Sequence, residues 1–188
     1  MRLILTGATG CIWALGVSQT EVNKEDYVKI TVDYPLAAAK AFSTLSDSFN
    51  FVYVSGQGAT QTPGFLTPFF GRVKGECETA LIQLAQQHHP SLKPYSLRPA
   101  MVDPAADPRV WEALRQRPQE RPLGHRFLRG VFAPAVRGVY PQGASPTKEL
   151  GQFLTTLASG AGEPMQGDGV SGDGWIISNQ AFRREVGL

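Results

Sequence analysis

Short runs of consecutive apolar residues, each stopped by glycine or serine, alternate along the chain with longer stretches whose apolar positions recur every three to four residues. Leu3, Ile4 and Leu5 form the first run and end at Thr6-Gly7-Ala8-Thr9-Gly10, the pattern of a buried parallel strand closing on a tight turn. Cys11 to Val17 is apolar nearly throughout and stops at Ser18. It predicts a second buried strand, with a helical start as the alternative for so short a run. Asn23 then stands where a helix cap is needed, and Asp26 is placed to reach back to it. Tyr27, Ile30, Tyr34, Ala38, Ala41 and Leu45 follow at helical spacing, with Pro35 expected to kink the helix.

Phe49 and Phe51 to Val54 predict the next strand, ended by Ser55-Gly56-Gln57-Gly58 and a loop rich in Thr, Pro and Gly. A second helix is expected from Phe70 to about Gln87, with Val73, Cys77, Leu81 and Leu84 on one face, Lys74 four residues before Glu78, and Pro90 as its stop. Tyr95 to Arg98 is a short strand before Pro99; 103–122 reads as loop with one helix around Val110 to Arg117. Ser145-Pro146 has the look of an N-cap followed by proline at the first helical position, and Ser159-Gly160 would close that helix. Trp175 to Ser178 predicts a strand, and the last residues a short amphipathic helix. Strands alternating with helices argue for an α/β sheet rather than segregated layers.

Composition narrows the class without naming a chemistry. At 188 residues, 42% apolar and 18% charged, the chain suits one soluble globular domain over 1–188. Its net charge of +2 comes from mixed basic and acidic residues, so nothing calls for nucleic acid. Cys11 and Cys77 lie far apart in apolar or helical stretches and read as reduced thiols of a cytoplasmic protein. The amino-terminal run is too short for a signal peptide or a membrane span.

Three patterns could carry chemistry. A strand ending in Thr-Gly-x-x-Gly is where a dinucleotide-binding fold brings bare backbone to a pyrophosphate, the competing reading being a plain glycine turn. His88-His89 points in two directions on a helix with no carboxylate to complete a metal site, and His125 is equally isolated. The Gly167-Asp168-Gly169 and Gly172-Asp173-Gly174 pair is a single unit without a terminal Glu, and reads as a flexible hairpin or loop rather than a calcium turn.

Leu3 to Gly10, Phe51-Val52-Tyr53-Val54-Ser55, Arg72-Val73-Lys74-Gly75-Glu76 and Leu97-Arg98-Pro99 resemble, in order, landmarks of the atypical and extended short-chain dehydrogenase/reductases, a branch that includes sugar-nucleotide epimerase-like proteins. The resemblance implies a Rossmann-like parallel sheet flanked by helices and NAD or NADP as cofactor. It implies Ser55 and Lys74 as catalytic residues. Gly7, Ala8, Thr9, Gly10, Leu15, Gly16, Lys74, Arg98 and Pro99 would contact the cofactor. It further implies a small-molecule substrate, a homo-oligomer, no membrane partner, and a substrate-side region over 102–145 and 160–188. Arginines between Arg115 and Arg137 would meet an anionic substrate or stay solvated.

Two departures from that pattern stand out. The family's tyrosine, four residues before the lysine, is Phe70 here, and a phenyl ring cannot donate a proton. A phenol titrates near ~10, so the family's lysine is what lets it exchange a proton at neutral pH. Secondly, Trp13 stands at the place of the third glycine, and Cys11 to Val17 resemble the family's fourth strand. On the order of sixty residues would then be missing, at about thirty per βαβ unit. With them would go the first crossover helix and the residue that recognises the ribose, so cofactor affinity should fall and an apolar sheet edge should be exposed. The expected protein is an NAD(P)-binding, dehydrogenase- or epimerase-like protein with impaired or lost oxidoreductase activity. The alternatives are a non-catalytic interaction or regulatory protein on the same scaffold, or a mis-spliced gene product.

Overall fold

A computed structural model of the chain describes residues 8–104, 107–108, 110, 112 and 141–188. Leu3 to Leu5, Gly7, most of the helix expected at 110–117, His125 and the arginines from 115 to 137 lie outside the described residues. Strand β1 is Gly10–Trp13. Helix α1, Lys24–Val28, runs through a π-helical turn, Lys29–Asp33, into α2, Tyr34–Phe42. Then come β2 Phe49–Val54, α3 Phe69–Gln87, β3 Leu92–Arg98 and β4 Met101–Asp103. The rest is β5 Ala144–Pro146, α4 Thr147–Ser159, β6 Val170–Ser171, β7 Ile176–Ser178 and α5 Asn179–Glu185.

The main sheet has the order β1-β2-β3-β7-β6, with β6 antiparallel and the other pairings parallel; β4 and β5 form a separate parallel pair. It is a truncated Rossmann-like α/β sheet with helices on both faces. The alternation along β2 shows why. Phe49, Phe51 and Tyr53 point into a core with Tyr27, Val32, Val73, Cys77 and Leu81, under α1 to α3. Val52 points the other way, to Tyr95, Leu97, Leu150, Phe153, Leu157 and Phe182, under α4 and α5. Among the described residues no helix is long and apolar enough to cross a membrane.

Local chemistry explains most boundaries. The Asn23 side chain accepts from the Asp26 N–H at 2.8 Å and donates to the Asp26 carboxylate at 2.8 Å, closing the cap of α1. Pro35 lacks the N–H that the Thr31 carbonyl would take, and the helix widens just before it. The N–H of Tyr34 reaches back five residues to the Lys29 carbonyl, and the buried Tyr53 hydroxyl points to the Thr31 carbonyl at 3.4 Å. The helix ends at Phe42 rather than running on to Leu45, which packs on the core from the following turn.

Three expectations need correction. The strand expected over Cys11 to Val17 spans only Gly10–Trp13, and Leu15 is 71% exposed. It is a strand and not a helical start, because Trp13 pairs opposite Tyr53 and stacks on Phe51, after which the chain leaves the ladder. Ser145 is not a cap. It lies buried in β5, accepts from the Ala100 N–H at 2.9 Å and donates to Asn179 Oδ1 at 2.6 Å, while Pro146 takes the cap position of α4. β3 begins at Leu92 rather than Tyr95 and includes Pro94. Proline is tolerated there because the N–H of Ser96 faces β7, so by alternation the Pro94 nitrogen faces the stretch of edge that β7 does not reach.

Candidate functional site

At the carboxyl ends of β1, β2 and β3 the structure has a cavity of about 710 Å³, whose walls include Leu15, Gly16, Ser55, Lys74 and Pro99. This is where an open parallel sheet places its ligands. Ser55 is the first residue after β2, and its N–H donates to the Leu97 carbonyl at 2.8 Å. The residue is 4% exposed, and its Oγ has no hydrogen-bond partner. A buried hydroxyl left unpaired is costly unless something supplies the partner.

Lys74 enters from the second turn of α3. Its Nζ donates to the Ser55 carbonyl at 2.6 Å, stands 3.5 Å from the Val54 carbonyl and lies 5.9 Å over the Tyr53 ring. Burial pulls its pKa below the ordinary lysine range, while Cys77 and Glu78 act in the other direction. Two glycines bring the helix close enough for this. A Cβ on Gly75 would lie 1.8 Å from the Thr60 carbonyl oxygen, and one on Gly71 would lie 2.4 Å from that of Gly58. The sequence reading did not single out this pair, although glycines four apart on one helix face are a signal of close backbone approach.

Lys74 and Glu78, four residues apart on α3, take different partners. Glu78 is fully buried and is gripped by Arg98 through Nε–Oε1 at 2.9 Å and Nη2–Oε2 at 2.5 Å. The planar guanidinium fits both carboxylate oxygens, which an ammonium one helical turn away cannot do. Arg98 lines the neighbouring cavity, which shares Gln57 and Gly58 with that of Lys74.

Gly10, Ala8 and Thr9 are also elsewhere. Gly10 opens β1 opposite Asn50, the second residue of β2, and Thr9 accepts from the Asn50 N–H. Gly10 thus sits at the amino end of a strand about 10 Å long, while the cavity lies at the carboxyl end. Its missing side chain serves packing, since a Cβ there would lie 1.9 Å from the Ala158 carbonyl oxygen of α4.

Among the described residues no tyrosine hydroxyl lines the cavity. Phe70 packs its ring tip toward Gly58, and its N–H donates to Gln19 Oε1 at 3.1 Å. Tyr53 is buried, directed at the Thr31 carbonyl, and its pKa is raised far above the ordinary phenol value by burial first and by Cys77 next. Burial likewise pushes the Cys77 thiol up to about 12. Both cysteines are free thiols, and Cys11 is half-buried. Lys74 is the single titratable side chain among the described residues lining the cavity. The described residues hold no cluster of metal-binding side chains, and His89 Nδ1 meets Ser43 Oγ at 3.0 Å.

Tested against a nicotinamide dinucleotide, the site fits in part. The unpartnered Ser55 Oγ, the Lys74 ammonium and the Leu15, Gly16 and Pro99 walls suit a nicotinamide-ribose end. The adenylate end finds no counterpart among the described residues, where β1 has no strand on its outer side. The described residues do not fit a whole dinucleotide.

No family model matches the chain. It is 42% identical over 160 residues to botcinic acid biosynthesis cluster B protein 16 of Botryotinia fuckeliana (strain B05.10), covering 81% of the chain and 98% of that protein. It is 31% identical over 199 residues to leucinostatins biosynthesis cluster protein T of Purpureocillium lilacinum, covering 95% of the chain and 71% of that protein. Among solved structures, the angucycline C-6 ketoreductase LanV with bound NADP superposes with a TM-score of 0.50 at 17% identity, covering 91% of the chain and 60% of LanV. A short-chain dehydrogenase/reductase-family oxidoreductase from Burkholderia thailandensis gives 0.52 at 12% identity, covering 92% and 62%. At such identities the likeness is one of fold, and the chain spans about three-fifths of those structures.

Proposed function

The chain belongs to the family of botcinic acid cluster B protein 16 and leucinostatins cluster protein T, on a short-chain dehydrogenase/reductase-like Rossmann fold, and from that premise we propose that it is a ligand-binding protein of small-molecule biosynthesis that performs no oxidoreductase turnover. The observation that carries this reading is Phe70 where the family's tyrosine would stand, with Lys74 and Ser55 in place and no phenol hydroxyl among the described residues lining the cavity. The Val54 and Ser55 carbonyls face the Lys74 ammonium, which has a third N–H to offer a ligand oxygen, and the Ser55 hydroxyl stands unpaired in the same cavity. A carbonyl, or the ribose end of NAD or NADP, has the acceptors such a pair binds. When bound, a nicotinamide would supply hydride chemistry; this chain's own residues bind and orient.

The relative whose length is almost wholly covered by the alignment supports a short form of the fold over a faulty gene model of this one chain. The test is an assay with NADPH or NADH and a panel of ketones, on protein whose folding is verified by its melting curve. No oxidation of either cofactor is expected. Steady oxidation that disappears in Lys74→Ala would overturn the reading.

A further inference from the structure

A second cavity, of about 550 Å³, lies beyond Gln57 and Gly58, which form the rim it shares with the first. Arg98, Arg183, Gln180 and Asp168 are among its walls, at the carboxyl ends of β3 and β7. We propose that it is a binding site for a small oxyanion, a carboxylate or a phosphate group, held by Arg98 and Arg183.

The two guanidiniums are fixed in place by bonds that leave part of each one free. Arg98 spends Nε and Nη2 on the buried Glu78, and its Nη1 has no partner among the described residues. Arg183 spends Nη1 on the Ala144 carbonyl at 2.9 Å, and its Nε and Nη2 have none. Orienting an arginine costs side-chain entropy, and here protein contacts have already met that cost before any ligand arrives. The free N–H groups match the lone pairs of an oxyanion. Arg184, the third arginine of the wall, is occupied with the Asp168 and Gln166 carbonyls and with Glu185. Glu78 balances Arg98 and Glu185 balances Arg184, which leaves Arg183 without an ion-pair partner among the described residues and Asp168 as the wall's own carboxylate. Directed hydrogen bonds, more than net charge, therefore make the site. This assignment does not depend on whether the first cavity takes a cofactor.

The probes are inorganic phosphate and acetate, titrated into the full chain by calorimetry at an ionic strength held constant with chloride. Saturable phosphate binding is expected in the wild type. Gln180→Glu adds a negative charge to the wall at a side chain with no hydrogen bond among the described residues; it should weaken phosphate by about tenfold. Arg183→Gln, checked for folding by its melting curve, should weaken it as much. Absence of saturable binding of either anion to the wild type overturns the assignment, as does phosphate affinity in Gln180→Glu equal to the wild type.

Discussion

β1 and β2 are neighbours in one parallel ladder, yet they are covered in opposite ways. β2 has a strand on each side and a helical layer on each face; Phe51 and Val52, which point to different faces, are both fully buried. β1 has a partner on one side among the described residues, Ile12 is 39% exposed, and the chain beyond Trp13 runs out to Leu15. The contrast separates the two halves of a dinucleotide fold. The β2–α3–β3 unit, covered by α1 and α2 on one face and by α4 and α5 on the other, carries the serine and lysine. On the outer side of β1 the described residues hold no further strand.

That contrast can be broken most sharply through the Glu78–Arg98 pair. Arg98→Gln leaves a fully buried carboxylate without its cation, and denaturant unfolding should show a loss of roughly 3 to 5 kcal/mol. Next comes a matched pair of glycines. Gly75→Ala drives a Cβ into the Thr60 carbonyl, packed against the middle of α3, and should cost about 3 kcal/mol, whereas Gly10→Ala meets Ala158 from a strand with one partner among the described residues and should cost about 1 kcal/mol. Equal costs would mean that β1 is as tightly held as the central unit.

A smaller effect concerns pH. Burial lowers the folded pKa of Lys74 below its unfolded value near 10.5, so the unfolded chain binds the proton more readily. Its contribution to stability should therefore grow as pH rises from the folded pKa toward 10.5, and Lys74→Met should flatten that part of the stability profile. Smallest of all, Leu15→Lys should change stability by no more than about 0.5 kcal/mol.

Legibility in the sequence followed the range of the interactions. The Asn23–Asp26 cap and the apolar run of β2 depend on residues a few positions apart, and both could be read directly. The partner of Glu78 could not be read from its spacing to Lys74, because it is Arg98, twenty positions away on β3 and better shaped for a carboxylate. Ser145 looks like a cap by spacing, but its hydroxyl is claimed by Ala100 and Asn179 from distant parts of the chain. Gly10 carries a motif that fits phosphate, and only the strand register puts it at the opposite end of the sheet from the Ser55–Lys74 cavity. Phe70 was informative from the sequence alone, since no arrangement of neighbours gives a phenyl ring a proton.

On the proposed reading, the described residues keep the nicotinamide-side floor of the fold and hold no adenylate half-site. The most direct measurement compares dissociation constants of NADPH and reduced nicotinamide mononucleotide for the same folded protein, by fluorescence titration. Affinities equal within about threefold are predicted, because the adenylate would add no contacts; NADPH bound about a hundredfold tighter would contradict the account, since roughly 2.7 kcal/mol would then come from a half-site it denies.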